Sequence, residues 1–145
     1  VDENGEIRTM SAEDMELSYR HSIFSEKNYI ITAVTFELKK GDSEEIKAAV
    51  TECMKKRTSK QPLEYPSAGS TFKRPEGSYA SLLIEQCGLK GMSVGGAEVS
   101  TKHSGFVINK GDATCEDVLE LCRRVKEIVL EKTGYSLELE PVILE

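Results

Sequence analysis

The longest regular pattern of apolar positions lies near the end of the chain and predicts a helix. Its apolar side chains recur at the three- and four-residue spacing of one helix face, at Val118, Leu121, Cys122, Val125, Ile128 and Val129. Thr114, with Asp117 three residues on, predicts the N-terminal cap, and Gly134 predicts the end. We therefore expect an amphipathic helix between Thr114 and Gly134.

Two further helices are predicted upstream. Asp42 and Glu45 form a capping-box pattern, and apolar residues follow at helical spacing, at Ile46, Ala49, Val50, Cys53 and Met54. This helix should end near Thr58. Residues 78–86 should form the second helix, ended by Gly88. The proline- and glycine-rich residues 59–77 between them predict a long loop, which in a compact domain is usually functional or disordered.

Alternation of apolar and polar residues predicts the strands. Residues 29–38 place Ile30, Val34, Phe36 and Leu38 on one face. Shorter strands are predicted at residues 4–9, in two pieces within residues 92–109, and at residues 136–144.

The order of these elements determines the predicted fold class. Strands and helices mix without a repeated β-α-β unit, so we predict an α+β fold with a mixed or antiparallel sheet and about three helices. Gly95-Gly96 predicts a bulge or a close approach of two backbones. A domain break near residue 40 is expected, because the first forty residues contain no long helix.

Composition narrows the classes of function. The 145 residues carry 25 acidic and 19 basic side chains, a net charge of -6, so a nucleic-acid binder is not expected. No apolar run approaches the roughly 20 residues of a membrane span. The basic residues are nevertheless clustered, with Lys55, Lys56, Arg57, Lys60, Lys73 and Arg74 inside twenty positions. Such a local cluster suits a small anion.

The four cysteines show no metal-binding spacing. Cys53, Cys87, Cys115 and Cys122 form no C-x-x-C pair, and none stands at zinc spacing with a histidine. Cys53, Cys87 and Cys122 fall on predicted apolar helix faces. We expect those three to be buried free thiols in a reducing compartment, and we expect no metal site.

The loop at residues 65–75 carries the most chemistry. Its small residues around Gly69 let a backbone approach a ligand closely. Lys73 and Arg74 follow, and Lys60 could join them on a phosphate. The loop lacks the phosphate-loop and nucleophile-elbow spacings. On residue types alone, a tight proline-bounded turn without function remains the more common explanation.

Two other clusters are weaker by themselves. Tyr19 and Arg20 precede a predicted strand, where an arginine is usually a solvated surface charge. Glu140 alternates with Leu139 at the end of the chain, and such an acid usually lies on the solvated face of a strand.

Together, however, the motifs resemble a known family. In order along the chain they are YRHSIF at residues 19–24, PSAGSTFK at 66–73, LIEQCGLKG at 83–91, GGAEVSTKH at 95–103, FVIN at 106–109 and ATCEDV at 113–118. They resemble the UDP-N-acetylenolpyruvoylglucosamine reductases (MurB), flavin enzymes of bacterial peptidoglycan synthesis. The resemblance covers nearly the whole chain.

The resemblance implies an activity and its residues. It implies a cytoplasmic oxidoreductase of cell-wall synthesis, and thus of cell shape and division, that uses FAD and NADPH to convert UDP-N-acetylglucosamine enolpyruvate into UDP-N-acetylmuramate. Ser70 would donate the proton, Arg20 would stabilise the enolate, and Glu140 would orient the carboxylate with Arg20. Lys60, Lys73, Arg74 and Tyr19 would contact the substrate.

The resemblance also implies a division of the chain. Members of the family are about twice as long, so residues 1–40 would be the tail of the FAD-binding domain and residues 41–145 the substrate-binding domain. Such a fragment should lack flavin and activity without the preceding FAD domain. Arg74 and Glu98 depart from the family pattern, and an acid at position 98 would repel a diphosphate if it faced one. Two alternatives stay open: a non-catalytic module that binds a nucleotide-sugar or another diphosphate, and a protein-interaction domain.

Overall fold

The computed structural model describes residues 1–143, in two compact units with bounds Val1–Gly41 and Asp42–Glu145. The units divide beside the predicted break near residue 40. The assignment of the first unit to an FAD-binding domain stays a prediction.

The first unit has little regular structure. Its one helical element among residues 1–41 is a short 3₁₀ turn, Ile23–Ser25. Near its start, the Asp2 carboxylate accepts hydrogen bonds from the backbone N–H groups of Asn4 and Glu6, and Arg8 Nε lies 2.8 Å from that carboxylate. These contacts fix a turn and not a strand.

The strands predicted at residues 4–9 and 29–38 are both wrong. Neither stretch is assigned as strand, and Ile30, Val34, Phe36 and Leu38 are each at least 60% exposed. A strand exists only through a hydrogen-bonded partner, which alternation along one segment cannot supply. The predicted apolar face is therefore solvent-accessible.

The second unit begins with helix α1, Ser43–Lys60. Asp42 caps it as predicted, accepting from the N–H groups of Glu44 and Glu45 at 3.0 Å each. The helix runs two residues beyond the predicted end. None of its residues is buried, so the prediction of a buried Cys53 is wrong. Helical spacing of apolar residues creates a face that can be buried, but another element must cover it.

The remaining regular elements follow the order α2, β1, β2, β3, α3. Their bounds are Ala80–Gln86, Ser93–Val94, Ala97–Val99, Val107–Asn109 and Cys115–Thr133. The strands form one antiparallel sheet in the order β1-β2-β3, with Val99 opposite Val107. Three helices with an antiparallel sheet confirm the predicted α+β fold.

The glycine pair at residues 95–96 joins β1 to β2 as a tight hairpin turn and not as a bulge, so the region predicted as two strands contains three. The close backbone approach is confirmed, because a Cβ on Gly96 would overlap the carbonyl oxygen of Gly111.

The core lies between the sheet and helices α2 and α3. Its fully buried side chains come from all of these elements and from the C-terminal segment, and they include Ile84, Ala97, Val99, Leu121, Val125, Val129 and Leu137. Helix α3 has the predicted capping box, in which Thr114 Oγ1 accepts from Asp117 N at 3.1 Å and Asp117 Oδ2 accepts from Thr114 N at 2.9 Å. Gly134 ends it in the left-handed conformation, with φ 77°.

Two of the four thiols are inside this core. Cys87 and Cys122 are buried as predicted. Burial raises the pKa of the Cys122 thiol to about 11, because a thiolate is poorly solvated there.

The strand predicted at residues 136–144 is reduced to an isolated bridge between Phe72 and Leu139. The predicted alternation is present, since Leu137 and Leu139 turn inward while Glu138 and Glu140 are exposed. Residue 144 lies outside the described residues. No helix within residues 1–143 has the length and apolar character needed to cross a membrane.

Candidate functional site

Residues 65–75, which we call the serine loop, cover the free edge of the sheet. Hydrogen bonds from Ser100 N to Phe106 O and from Lys110 N to Gly96 O join β2 to β3. Because successive groups on a strand point in opposite directions, the N–H groups of Val107 and Asn109 face the other edge. There Val107 N donates to Thr71 Oγ1 and Asn109 N donates to Pro66 O, both at 2.9 Å. The loop thus replaces a fourth strand.

Ser70 is presented to solvent from this anchored loop. It lies between Gly69, whose φ of 83° requires glycine, and Thr71, which is buried. Among residues 1–143 neither its hydroxyl nor its backbone has a hydrogen-bond partner. The hydroxyl is therefore available to a ligand.

An open cleft of about 500 Å³ lies beside Ser70. The loop forms one wall, and the end of α1 contributes Arg57 and Gln61, while Tyr65 and Phe106 add aromatic surface. No carboxylate lines the cleft in the described part of the chain. A polar cleft with one guanidinium and a hydroxyl suits an anionic ligand that also carries an apolar or planar group.

The acidic residue nearest in sequence to the residues that line the cleft is paired with a lysine outside it. Glu64, between two lining residues, has its carboxylate 3.3 Å from Lys102 Nζ. A backbone hydrogen bond, followed by the contact with Lys102, lowers the pKa of Glu64 below its ordinary value. It therefore stays charged and paired with Lys102.

The C-terminal segment carries Glu140 to the same loop. Glu140 N donates to Thr71 O at 3.0 Å, and Lys73 N donates to Glu138 O at 2.8 Å. Ser70, seventy positions from Glu140 in sequence, thus immediately precedes the hydrogen-bonded partner of Glu140. Within the second unit, the fold therefore brings the backbones of Ser70 and Glu140 to neighbouring positions.

The third, Arg20, belongs to the first unit, where its guanidinium lies 5.8 Å from the ring centre of Tyr19. Arg20 has a φ of 56°, an uncommon value for a residue other than glycine. The predicted pair Tyr19 and Arg20 is therefore a local contact within that unit.

The three basic residues predicted to contact the substrate lie outside the cleft. Lys73 Nζ lies 3.2 Å from Glu138 Oε2, and Arg74 stacks on Tyr79. Lys60 is exposed in the last turn of α1. None of the three lines the cleft.

The departure at position 98 has a structural partner. The Glu98 carboxylate on β2 lies 3.1 Å from Lys110 Nζ, and its side chain is only 15% exposed. Its charge is compensated inside the sheet, so it is not the unpaired acid that would repel a diphosphate.

Sequence reasoning missed Arg57, Gln61, Tyr65 and Phe106 as cleft residues. Arg57 was visible in the basic cluster, and its four-residue spacing from Gln61 gave a usable signal, since such residues share a helix face. Phe106 lies in the motif FVIN, but no pattern along the chain indicated that the sheet would bring it to the loop.

Comparisons with known proteins find a matching family model and similar sequences. The family model "UDP-N-acetylenolpyruvoylglucosamine reductase, C-terminal domain" matches residues 61–144. The protein of that name from Clostridium novyi is 54% identical over 140 residues, which is 97% of this chain and 46% of that protein. The one from Agathobacter rectalis is 53% identical over 94% of this chain and 44% of its own length.

A solved structure is similar as well. The crystal structure of the reductase from Thermus caldophilus matches with a TM-score of 0.70 and 38% identity, over 88% of this chain and 45% of that one. This chain therefore spans about half the length of the curated relatives it matches.

Proposed function

The chain belongs to the UDP-N-acetylenolpyruvoylglucosamine reductase family, and we propose that it supplies the substrate-binding part and the proton donor of such an enzyme. The full enzyme would convert UDP-N-acetylglucosamine enolpyruvate into UDP-N-acetylmuramate in bacterial peptidoglycan synthesis. We propose the cytoplasm as its location, in keeping with four unpaired cysteines.

One observation carries the proposal. Ser70, free of hydrogen bonds to the described residues, opens into a cleft with Arg57, and Glu140 is held to the residue that follows Ser70. A hydroxyl and a cation in one cleft, with a carboxylate on the adjoining C-terminal segment, can hold an anionic substrate and move one proton.

The flavin would be held elsewhere. A dinucleotide pyrophosphate usually sits at an open helix N-terminus. Here the first N–H groups of α1 and α3 already bond to the side chains of Asp42 and Thr114. Helices α1 and α3 therefore offer no free N-terminus to FAD, and we expect this chain purified alone to be colourless and to lack reductase activity. Flavin absorbance near stoichiometry would contradict that division.

In the full enzyme the flavin, reduced by NADPH, would supply the hydride. This chain's residues would do the rest. Ser70 would donate a proton from its hydroxyl to the carbon next to the one that receives the hydride. Arg20 would stabilise the enolate that precedes this step, and Glu140 would orient the substrate carboxylate with it.

Arg57 joins the residues proposed to bind the substrate, which are Tyr19, Lys60, Lys73 and Arg74. Arg57 lines the cleft, whereas Lys73 and Arg74 contact Glu138 and Tyr79. We therefore assign Arg57 the strongest single contact with the diphosphate, because it lines the cleft and its guanidinium is not paired with any acid among residues 1–143.

Calorimetric titration of the full-length polypeptide with the enolpyruvyl UDP-sugar tests this assignment. Arg57→Ala should weaken binding about ten-fold or more, the usual effect of losing a hydrogen bond to a charged group. Arg123→Ala is the matched control, because Arg123 lies on the exposed side of α3 paired with Glu120. Equal affinities for both variants would exclude the cleft as the diphosphate site.

Rate measurements made alongside the titration separate the enzyme from a non-catalytic binding module. A module would bind the UDP-sugar and lose affinity with Arg57→Ala. It would transfer no hydride, so Ser70→Ala would have no reaction rate to change. Full-length protein that binds the UDP-sugar but transfers no hydride to it would favour the module.

A further inference from the structure

Thr71 connects two of the three proposed catalytic residues, Ser70 and Glu140. Thr71 is buried, with 4% of its surface exposed. Its backbone makes two hydrogen bonds and its hydroxyl makes a third. Thr71 N donates to Gly105 O at 2.8 Å, Thr71 Oγ1 accepts from Val107 N at 2.9 Å, and Thr71 O accepts from Glu140 N at 3.0 Å.

The residues before Thr71 are held much less firmly. From Ala68 to Ser70 the only hydrogen bond to a described residue runs from Gly69 N to Ser67 Oγ, at a long 3.4 Å. Ser70 therefore takes its position from two anchors of the loop. These are Pro66, which is hydrogen-bonded to Asn109 of β3, and Thr71. Thr71 is the nearer anchor, because it is bonded directly to Ser70.

The side chain of Thr71 does what a strand carbonyl would otherwise do. Val107 is buried, and its N–H points to the edge of the sheet that the loop covers. A buried N–H without a partner is costly, so this bond fixes where along β3 the loop attaches. The carbonyl of the same residue then fixes where the segment with Glu140 attaches to the loop.

We propose that Thr71 is a positioning residue, which through its hydroxyl holds Ser70 and Glu140 in one register beside the cleft. The proposal rests on the proposed function for its catalytic consequence, but the register itself is a property of this chain. A misplacement of about 1 Å can cost as much as 10²-fold in rate. Losing the hydroxyl should therefore impair the step that needs Ser70.

Three variants test it in the full-length polypeptide. Thr71→Val keeps the shape and removes the acceptor, and Thr71→Ser keeps the acceptor and removes a methyl group. Thr133→Val is the matched control, because Thr133 Oγ1 also accepts from a backbone N–H, that of Tyr135, at the far end of α3.

The two half-reactions are measured by stopped flow. Thr71→Val should slow oxidation of the reduced flavin by the enolpyruvyl substrate about ten- to hundred-fold and leave flavin reduction by NADPH unchanged. Thr71→Ser and Thr133→Val should behave like the wild type in both. Loss of both half-reactions with Thr71→Val, or equal loss with Thr71→Ser, would overturn the proposal.

Amide hydrogen exchange on the chain itself tests the register without activity. Thr71→Val should speed exchange at Val107 and Glu140 about ten-fold or more relative to Thr133→Val, because both amides are protected through Thr71. Unchanged protection would overturn the proposal whatever the enzyme does. If Ser70→Ala slows flavin oxidation but Thr71→Val does not, the inference fails and the proposed function stands. If Ser70→Ala is also silent, the proton-donor assignment fails and Thr71's catalytic role fails with it.

Discussion

The guanidinium of Arg74 lies 4.0 Å from the centre of the Tyr79 ring, and its Nε donates to the carbonyl of Ser78 at 3.3 Å. These contacts close the turn that leads from the serine loop into α2. The charge at position 74, a departure from the family pattern, thus has an intramolecular role that the sequence did not reveal.

We expect Arg74 and Tyr79 to be energetically coupled. Cation–π pairs at exposed sites contribute about 0.5–1 kcal/mol, so Arg74→Ala and Tyr79→Leu should each lower the free energy of unfolding by about that amount. The double variant should lose less than the sum. Urea unfolding of the four proteins measures the coupling, and strict additivity would mean that the stacking stabilises nothing.

Ser70→Ala should separate the two half-reactions of the full-length enzyme. Reduction of the flavin by NADPH needs no proton from Ser70 and should stay near normal. Oxidation of the reduced flavin by the enolpyruvyl substrate should slow about 10²–10⁴-fold, the usual effect of losing a general acid.

Ser70→Cys should recover part of that rate, because a thiol is more acidic than an alcohol. If Ser70 serves only the turn after Gly69, alanine fits the same backbone and both half-reactions should be unaffected. Stopped-flow absorbance of the flavin distinguishes these outcomes.

Gly96→Ala should destabilise the second unit by more than backbone strain alone would. The new Cβ would overlap the backbone of Gly111 and Ala113, which cannot rotate away. We expect a loss of about 3 kcal/mol, the upper range for overpacking.

Gly88→Ala is the control for this change. Gly88 has a φ of 74° but open space around its Cα, so only the left-handed conformation should penalise alanine, by about 1 kcal/mol. Equal losses in the two variants, measured by denaturant unfolding, would argue against the close approach at Gly96.

The four thiols should divide into two reactivity classes. Cys53 and Cys115 are exposed, whereas Cys87 and Cys122 are buried. A disulfide reagent should therefore modify two thiols in the folded protein and four after denaturation. Cys53→Ser should remove one fast equivalent, and Cys122→Ser none.

Cys122 also gives a pH dependence with a defined sign. Because burial raises its pKa to about 11, the unfolded thiol loses its proton before the folded one does. The free energy of unfolding should therefore fall as the pH rises from the ordinary thiol range toward that value. Cys122→Ala should flatten this slope in alkaline urea titrations, and an unchanged slope would assign it to other groups.

The sequence by itself determined the features that depend on neighbours along the chain. Asp42 and Thr114 cap their helices and Gly134 ends the last one, because capping involves groups within a few residues of each other. The family motifs also selected the serine loop and Ser70 as candidates, since a motif is local. The two inward-facing leucines of the C-terminal segment followed from alternation alone.

Only the tertiary structure decided which predicted faces acquire partners. The apolar stripes of α1 and of residues 29–38 have the spacing of buried faces, yet they are exposed, because burial depends on elements distant in sequence. For the same reason Phe106 and Arg57 reach one cleft, and Thr71 joins Val107 to Glu140. Those contacts link segments more than thirty residues apart, and no pattern along the chain encodes which backbone groups will meet.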